Sequence, residues 1–127
     1  MRGTILVAGD EEELCRLFTE SLTLQGFKVV AARSGREALA LVEQEPPDLI
    51  VLDLVMLEMD GLETLRRIRE RAGDVKVVIL TAYGTAQRVR EAIALGVREF
   101  IGKPFALDRL LRIVVEEVEG RTLRPAG

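Results

Sequence analysis

The sequence predicts an α/β fold, a three-layer sandwich in which five helices flank a five-stranded parallel sheet. Three observations predict it. Short apolar runs alternate five times with longer amphipathic segments, and strict alternation implies parallel strands joined by right-handed crossovers. The run "DLIVLD" (48–53) is continuous in its apolar character, as a strand buried on both faces is. The chain has 127 residues, 48% of them apolar, which is the size of one compact domain with a real core.

Each element follows from its pattern. "TILVA" (4–8) is a buried strand. Segment 11–25 sets Leu14, Leu17, Phe18 and Leu22 on one helical stripe, and Gly26 stops it. Residues 27–32 form a second strand. Segment 34–45 is a helix with Ala38, Leu39 and Val42 inward, broken by Pro46 and Pro47. After the third strand (48–53) comes a loop (54–61) and an amphipathic helix (62–71). A fourth strand (76–80), a helix (84–96, with Gly96 at its end) and a short fifth strand (98–101) follow. The last helix (106–119) turns Leu107, Leu110, Leu111, Val114 and Val118 inward. A single domain over 1–120 is expected, with 121–127 ("RTLRPAG") a short disordered tail.

Composition excludes several functions. The net charge of −3 is the opposite of the basic excess that nucleic acid or a membrane surface attracts. The absence of His removes histidine acid–base chemistry, His metal sites and phosphohistidine from this chain. Cys15 stands alone, so no internal disulfide forms. The apolar stretch near the N-terminus is too short for a signal peptide, and no run reaches membrane-spanning length. A cytoplasmic location is expected.

In open parallel sheets ligands bind at the carboxyl ends of the strands. The first strand ends at Gly9 and Asp10, the third at Asp53, the fourth at Thr81, and the fifth near Lys103 and Pro104. Two carboxylates, a hydroxyl and an ammonium therefore share one rim. Paired carboxylates repel, and Mg²⁺ with its oxygen ligands relieves that. Lys adds a point charge for an anion. Such a rim suits phosphoryl transfer onto a carboxylate nucleophile.

At this point four segments, in order and in spacing, resemble the receiver domain of two-component response regulators. They are "ILVAGDEEEL", "PDLIVLDLVMLEMDGLE", "VVILTAYG" and "FIGKPF", and the resemblance covers about residues 3 to 120. It implies the flavodoxin-like strand order 2-1-3-4-5. It also implies that Asp53 accepts the phosphoryl group, and that Mg²⁺ is held by Asp10, Asp53 and the backbone carbonyl of Val55. Thr81 and Lys103 would contact the phosphoryl oxygens, Phe100 would occupy the aromatic switch position, and the Lys103–Pro104 bond would be cis. A histidine kinase or phosphotransfer protein is the implied donor. The implied output is a downstream protein, an output domain or a homodimer formed on phosphorylation, whether the receiver stands alone or is cut from a longer regulator.

Two departures from the family pattern stand out. The family has two adjacent acids after the first strand, and here Gly9 replaces the first, whose role is to hold a metal-bound water. Outer partners of this kind are worth about 10–100-fold in metal affinity, so weakened Mg²⁺ binding is expected. Leu57 replaces a proline in the loop after Asp53.

Other residues have structural explanations. Asp10 with Glu13 fits a capping box, and Glu11, Glu12 and Glu13 suit the positive end of a helix. Asp60-Gly61 is a turn and helix start. Tyr83 packs, as Phe100 also could. Cys15 is inert packing. Arg66, Arg67, Arg69 and Arg71 form a solvated helix face.

Three functions compete. The first is a Mg²⁺-dependent switch phosphorylated on Asp53, catalysing at most its own phosphorylation and dephosphorylation. The second is a degenerate receiver, an interaction module independent of phosphorylation, motivated by Gly9 and opposed by the presence of Asp53, Thr81 and Lys103. The third is an aspartyl-phosphate phosphatase resembling the haloacid dehalogenase class. That class places a second Asp two residues after its nucleophile, where this chain has Val55.

Overall fold

The computed structural model describes residues 2–54, 60–81, 86–102 and 106–120. Strands and helices alternate as β1 (Thr4–Ala8), α1 (Glu12–Leu24), β2 (Lys28–Ala32), α2 (Gly35–Gln44), β3 (Leu49–Asp53), α3 (Gly61–Arg71), β4 (Lys76–Thr81), α4 (Ala86–Ala94), β5 (Glu99–Gly102) and α5 (Leu107–Glu119). The sheet order is β2-β1-β3-β4-β5, with every pairing parallel. The predicted fold class and strand order are both observed.

Because side chains alternate across a strand, the sheet separates two cores. Ile5, Val7, Leu49, Val51, Val78, Leu80 and Ile101 pack with Phe18 and Leu22 of α1 and Leu110, Ile113 and Val114 of α5. Leu6, Ala8, Ile50, Leu52, Val77 and Ile79 face α2, α3 and α4 instead. β3 lies mid-sheet with all five residues buried, which explains its unbroken apolar run.

Local signals end the helices. Ser34 caps α2 by accepting from Glu37 N at 3.1 Å, and α2 ends ahead of Pro46 and Pro47. Gly26 and Gly96 take left-handed φ values of 98° and 77° after α1 and α4, a conformation glycine adopts without a Cβ penalty.

Three expectations are corrected. The capping box is not formed: Glu11 is the N-cap of α1 and makes no side-chain cap bond. Asp10 still belongs to the strand exit, so the helix begins one residue too late for it. Leu17 is 44% exposed, and Cys15, Phe18 and Leu22 form the buried stripe. Arg69 is not part of a solvated face, because its guanidinium donates to four backbone carbonyls. Arg66 and Arg67 do pair in solvent with Glu63, and Arg71 pairs with Glu43.

Candidate functional site

Strand parity decides which way each rim residue faces. Gly9 continues the series Ile5, Val7, and Asp53 continues Leu49, Val51, so both lie on the α1/α5 side. The register pairs Ala8 with Leu52, which makes Gly9 and Asp53 the next neighbours at the rim. A Cβ placed on Gly9 would lie 3.4 Å from Asp53 Cβ, 3.9 Å from Asp53 Oδ2 and 3.8 Å from Cys15 Sγ. These are ordinary van der Waals separations, and Gly9 lacks a left-handed φ. The backbone therefore does not require glycine here. Its N–H continues the β1–β2 ladder to Ala32 O at 3.0 Å.

Asp53 is 2% exposed. Beside it the Cys15 thiol donates to Gly9 O at 3.5 Å. Burial, and then the negative charge of Asp53, push this thiol above its ordinary pKa, with Asp10 and Glu11 adding to the effect and Arg33 opposing it. Three carboxylates thus act on one corner of the rim. A cavity of about 10 Å³ bordered by Gly9, Glu11, Cys15 and Asp53 lies there, roughly what one water needs.

Thr81 belongs to the other face, in series with Val77 and Ile79. Its Oγ1 is buried and has no hydrogen-bond partner among the described residues. An unsatisfied buried hydroxyl costs about 1–3 kcal/mol, which an incoming acceptor would recover. Phe100 pairs in register with Ile79 and packs half-buried against the core under α2, α3 and α4. Thr81 and Phe100 therefore share a face, opposite the one that carries Gly9 and Asp53.

Gly61, which the sequence marks only as part of a turn and helix start, also shapes the site. A Cβ on Gly61 would lie 2.5 Å from Leu54 Cα and 2.7 Å from Asp53 O, closer than any side chain tolerates. Gly61 N donates to Leu54 O at 2.9 Å. Asp60 caps α3 through Oδ1, which accepts from Leu62 N at 2.7 Å and Glu63 N at 3.3 Å. The start of α3 is thus pressed onto the backbone that carries Asp53. Asp-Gly marked a turn, but nothing in the sequence marked this close approach.

The structure brings together Gly9, Asp10 and Asp53 at one corner, with Thr81 and Phe100 across the sheet. Lys103 and Val55 lie outside the described residues, as do Leu57, Tyr83 and Pro104. No group of three or more His, Cys, Asp or Glu side chains among the described residues could hold a metal. Asp10 and Asp53 would therefore need backbone or phosphate oxygens to complete a coordination shell. Their all-oxygen donor set is the kind Mg²⁺ takes.

The fold and rim define a flavodoxin-like α/β domain with an acidic site at the carboxyl edge of its sheet. The model of the response regulator receiver domain matches residues 5–115, and the chain belongs to that family, the receiver domains of two-component signalling systems. It is 34% identical to sporulation initiation phosphotransferase F of Bacillus subtilis, over 87% of this chain and 89% of that protein. It is 33% identical to the chemotaxis protein CheY of the same organism, over 90% and 96%. The regulatory protein AtoC of Escherichia coli is 33% identical over 94% of this chain, yet the match spans only 26% of AtoC. It spans 46% of the response regulator MprA of Mycolicibacterium vanbaalenii. Among solved structures, the non-phosphorylated HemR receiver domain of Leptospira biflexa superposes with a TM-score of 0.84 at 34% identity, covering 98% of both chains. Receiver domains are signalling switches rather than conventional enzymes. Among the described residues no helix is long and apolar enough to cross a membrane.

Proposed function

We propose that this receiver is a working phosphorylation switch, with Asp53 accepting a phosphoryl group from a histidine kinase or phosphotransfer protein. The observation that carries the reading is the buried Asp53 carboxylate at the central strand's rim, with the Thr81 hydroxyl on the neighbouring strand, buried and without a hydrogen-bond partner among the described residues. Asp53 ends β3 opposite Leu80, one residue before Thr81. An Asp53 oxygen attacks phosphorus, the bond from phosphorus to the donor's imidazole nitrogen breaks, and that nitrogen regains a proton. Beyond the ends of β3 and β4, where the two faces of the sheet meet, Thr81 would donate its hydroxyl to a phosphoryl oxygen, and Lys103 would pair with the added negative charge. Phe100, on the Thr81 face, follows the hydroxyl inward, and the surface beside it changes population.

Asp10, Asp53 and the backbone carbonyl of Val55 would hold Mg²⁺. The ion would supply charge neutralisation at the carboxylates and the transferring phosphoryl oxygens. Gly9 leaves the position beside Asp53 without an acid, so this chain binds the cation more weakly than a receiver with both acids. The output is a partner protein, an output domain or a second copy.

The test is to incubate the protein with acetyl phosphate and Mg²⁺ and weigh it intact. A gain of one phosphoryl mass, absent in Asp53→Ala, supports the switch. An unmodified wild type alongside a modified Gly9→Asp variant would overturn the switch and favour the degenerate, phosphorylation-independent module that Gly9 motivates.

A further inference from the structure

The corner of the rim that Gly9 leaves without an acid has a cation at its edge. β2 pairs with β1 to the end of both strands, Ala32 against Ala8, and Ala32 O accepts from Gly9 N at 3.0 Å. The next residue, Arg33, therefore leaves the sheet beside Gly9. Its Nη2 meets Glu12 Oε2 at 3.4 Å in the first turn of α1, two residues after Asp10. One guanidinium is thus held between the exit of β2 and the start of α1.

Local stability does not account for an arginine there. Arg33 immediately precedes Ser34, the N-cap of α2, and a helix N-terminus disfavours positive charge. The side chains of Arg33 and Glu12 are 62% and 70% exposed, and exposed pairs contribute little. The charge is nevertheless felt inside the corner. Burial and then Asp53 raise the pKa of the Cys15 thiol, and Arg33 opposes them with a larger effect than that of Asp10 or Glu11. That thiol lies 3.8 Å from where a Cβ on Gly9 would stand, and Asp53 Oδ2 lies 3.9 Å from it. The field that reaches the thiol also acts on an ion held at Asp53. It acts doubly on a divalent one, because the energy scales with the product of the charges.

We propose, on the reading that Asp10 and Asp53 hold Mg²⁺, that Arg33 sets the affinity of that site. Its permanent positive charge stands against the cation at the corner where Gly9 supplies no carboxylate, and raises the Mg²⁺ concentration at which the site fills. Glu12 shields the guanidinium and so moderates the effect.

Mg²⁺ titration by calorimetry on the intact protein, with no phosphoryl donor present, tests this apart from phosphorylation. Arg33→Gln should tighten Mg²⁺ binding about two- to fivefold at about 0.01 M ionic strength, and less at about 1 M, where charges are screened. Arg33→Lys, which keeps the charge, should bind as the wild type does, and Glu12→Gln should bind more weakly. Arg98→Gln removes an equal charge just ahead of β5, at the opposite end of the sheet, and should leave the affinity unchanged. An Arg33→Gln affinity no higher than the wild type's, or a gain that Arg33→Lys or Arg98→Gln matches, overturns the proposal. Where wild-type binding is too weak to measure, the same comparison is made in Gly9→Asp, with the same deciding outcomes. Asp10→Ala separates this proposal from the reading beneath it. Heat lost in Asp10→Ala but unmoved by Arg33→Gln overturns the role of Arg33 alone, and heat that persists in Asp10→Ala overturns the cation site with it.

Discussion

Two glycines at the rim lack side chains for opposite reasons. Gly61 is required by contact, since any Cβ would enter the backbone of Asp53 and Leu54. Gly61→Ala should destabilise by about 1–3 kcal/mol, as overpacked sites do, and should slow phosphoryl uptake, measured by urea denaturation and intact mass. Gly9 meets only ordinary contacts. Gly9→Ala should fold with equal stability or a gain of about 0.4–1 kcal/mol from the stiffened unfolded chain. Gly9→Asp should lower the Mg²⁺ concentration for half-maximal phosphorylation about 10–100-fold. Cys15 offers a pH test. Its pKa is raised chiefly by burial, so the folded thiol keeps a proton that the unfolded chain releases above about pH 8.5. Its stabilising contribution is therefore complete below that pH and is lost as pH rises through the folded value. Denaturation midpoints should fall on the alkaline side, and less so in Cys15→Ala.

At the scale of the element, α3 carries the most specific expectation. Its cap is the Asp60 carboxylate, so Asp60→Ala should cost about 0.5–2 kcal/mol and loosen the turn beneath Asp53, seen as faster amide exchange at Leu54 and Gly61. The elements also show what a sequence can carry. Periodicity placed every strand and helix, because burial on a face imposes a period of 2 or 3.6. It did not choose between Leu17 and Cys15 on α1. Cys15 stands seven residues before Leu22 and Leu17 three after Leu14, so each fits a stripe, and side-chain hydrophobicity favoured the residue that turned out exposed. Nor did it separate Arg69 from its three neighbours, since a guanidinium that reaches distant carbonyls looks the same in sequence as one in water. The rim was legible because strand ends name its residues, Asp10, Asp53 and Thr81. The approach of Gly61 was not, because it depends on how α3 descends onto β3.

For the molecule as a whole, strand order was the one feature that spacing could not supply; it came through resemblance and is what sets Gly9 beside Asp53. A ligand that binds only the folded chain stabilises it by mass action. Mg²⁺ should therefore raise the thermal midpoint, more at equal concentration for Gly9→Asp and hardly at all for Asp10→Ala, by calorimetry. The two-sided sheet has a further consequence. Asp53 lies toward α1 and α5 because it is an even number of residues from Leu49 and Val51, while Thr81 lies opposite because it keeps step with Val77 and Ile79. Position along a strand therefore acts as an odd–even code. One residue inserted within β3 would send the carboxylate to the wrong layer and leave composition almost untouched. Homologues of this chain can gain or lose loop residues freely, but within β1, β3 and β4 insertions and deletions should survive only in twos.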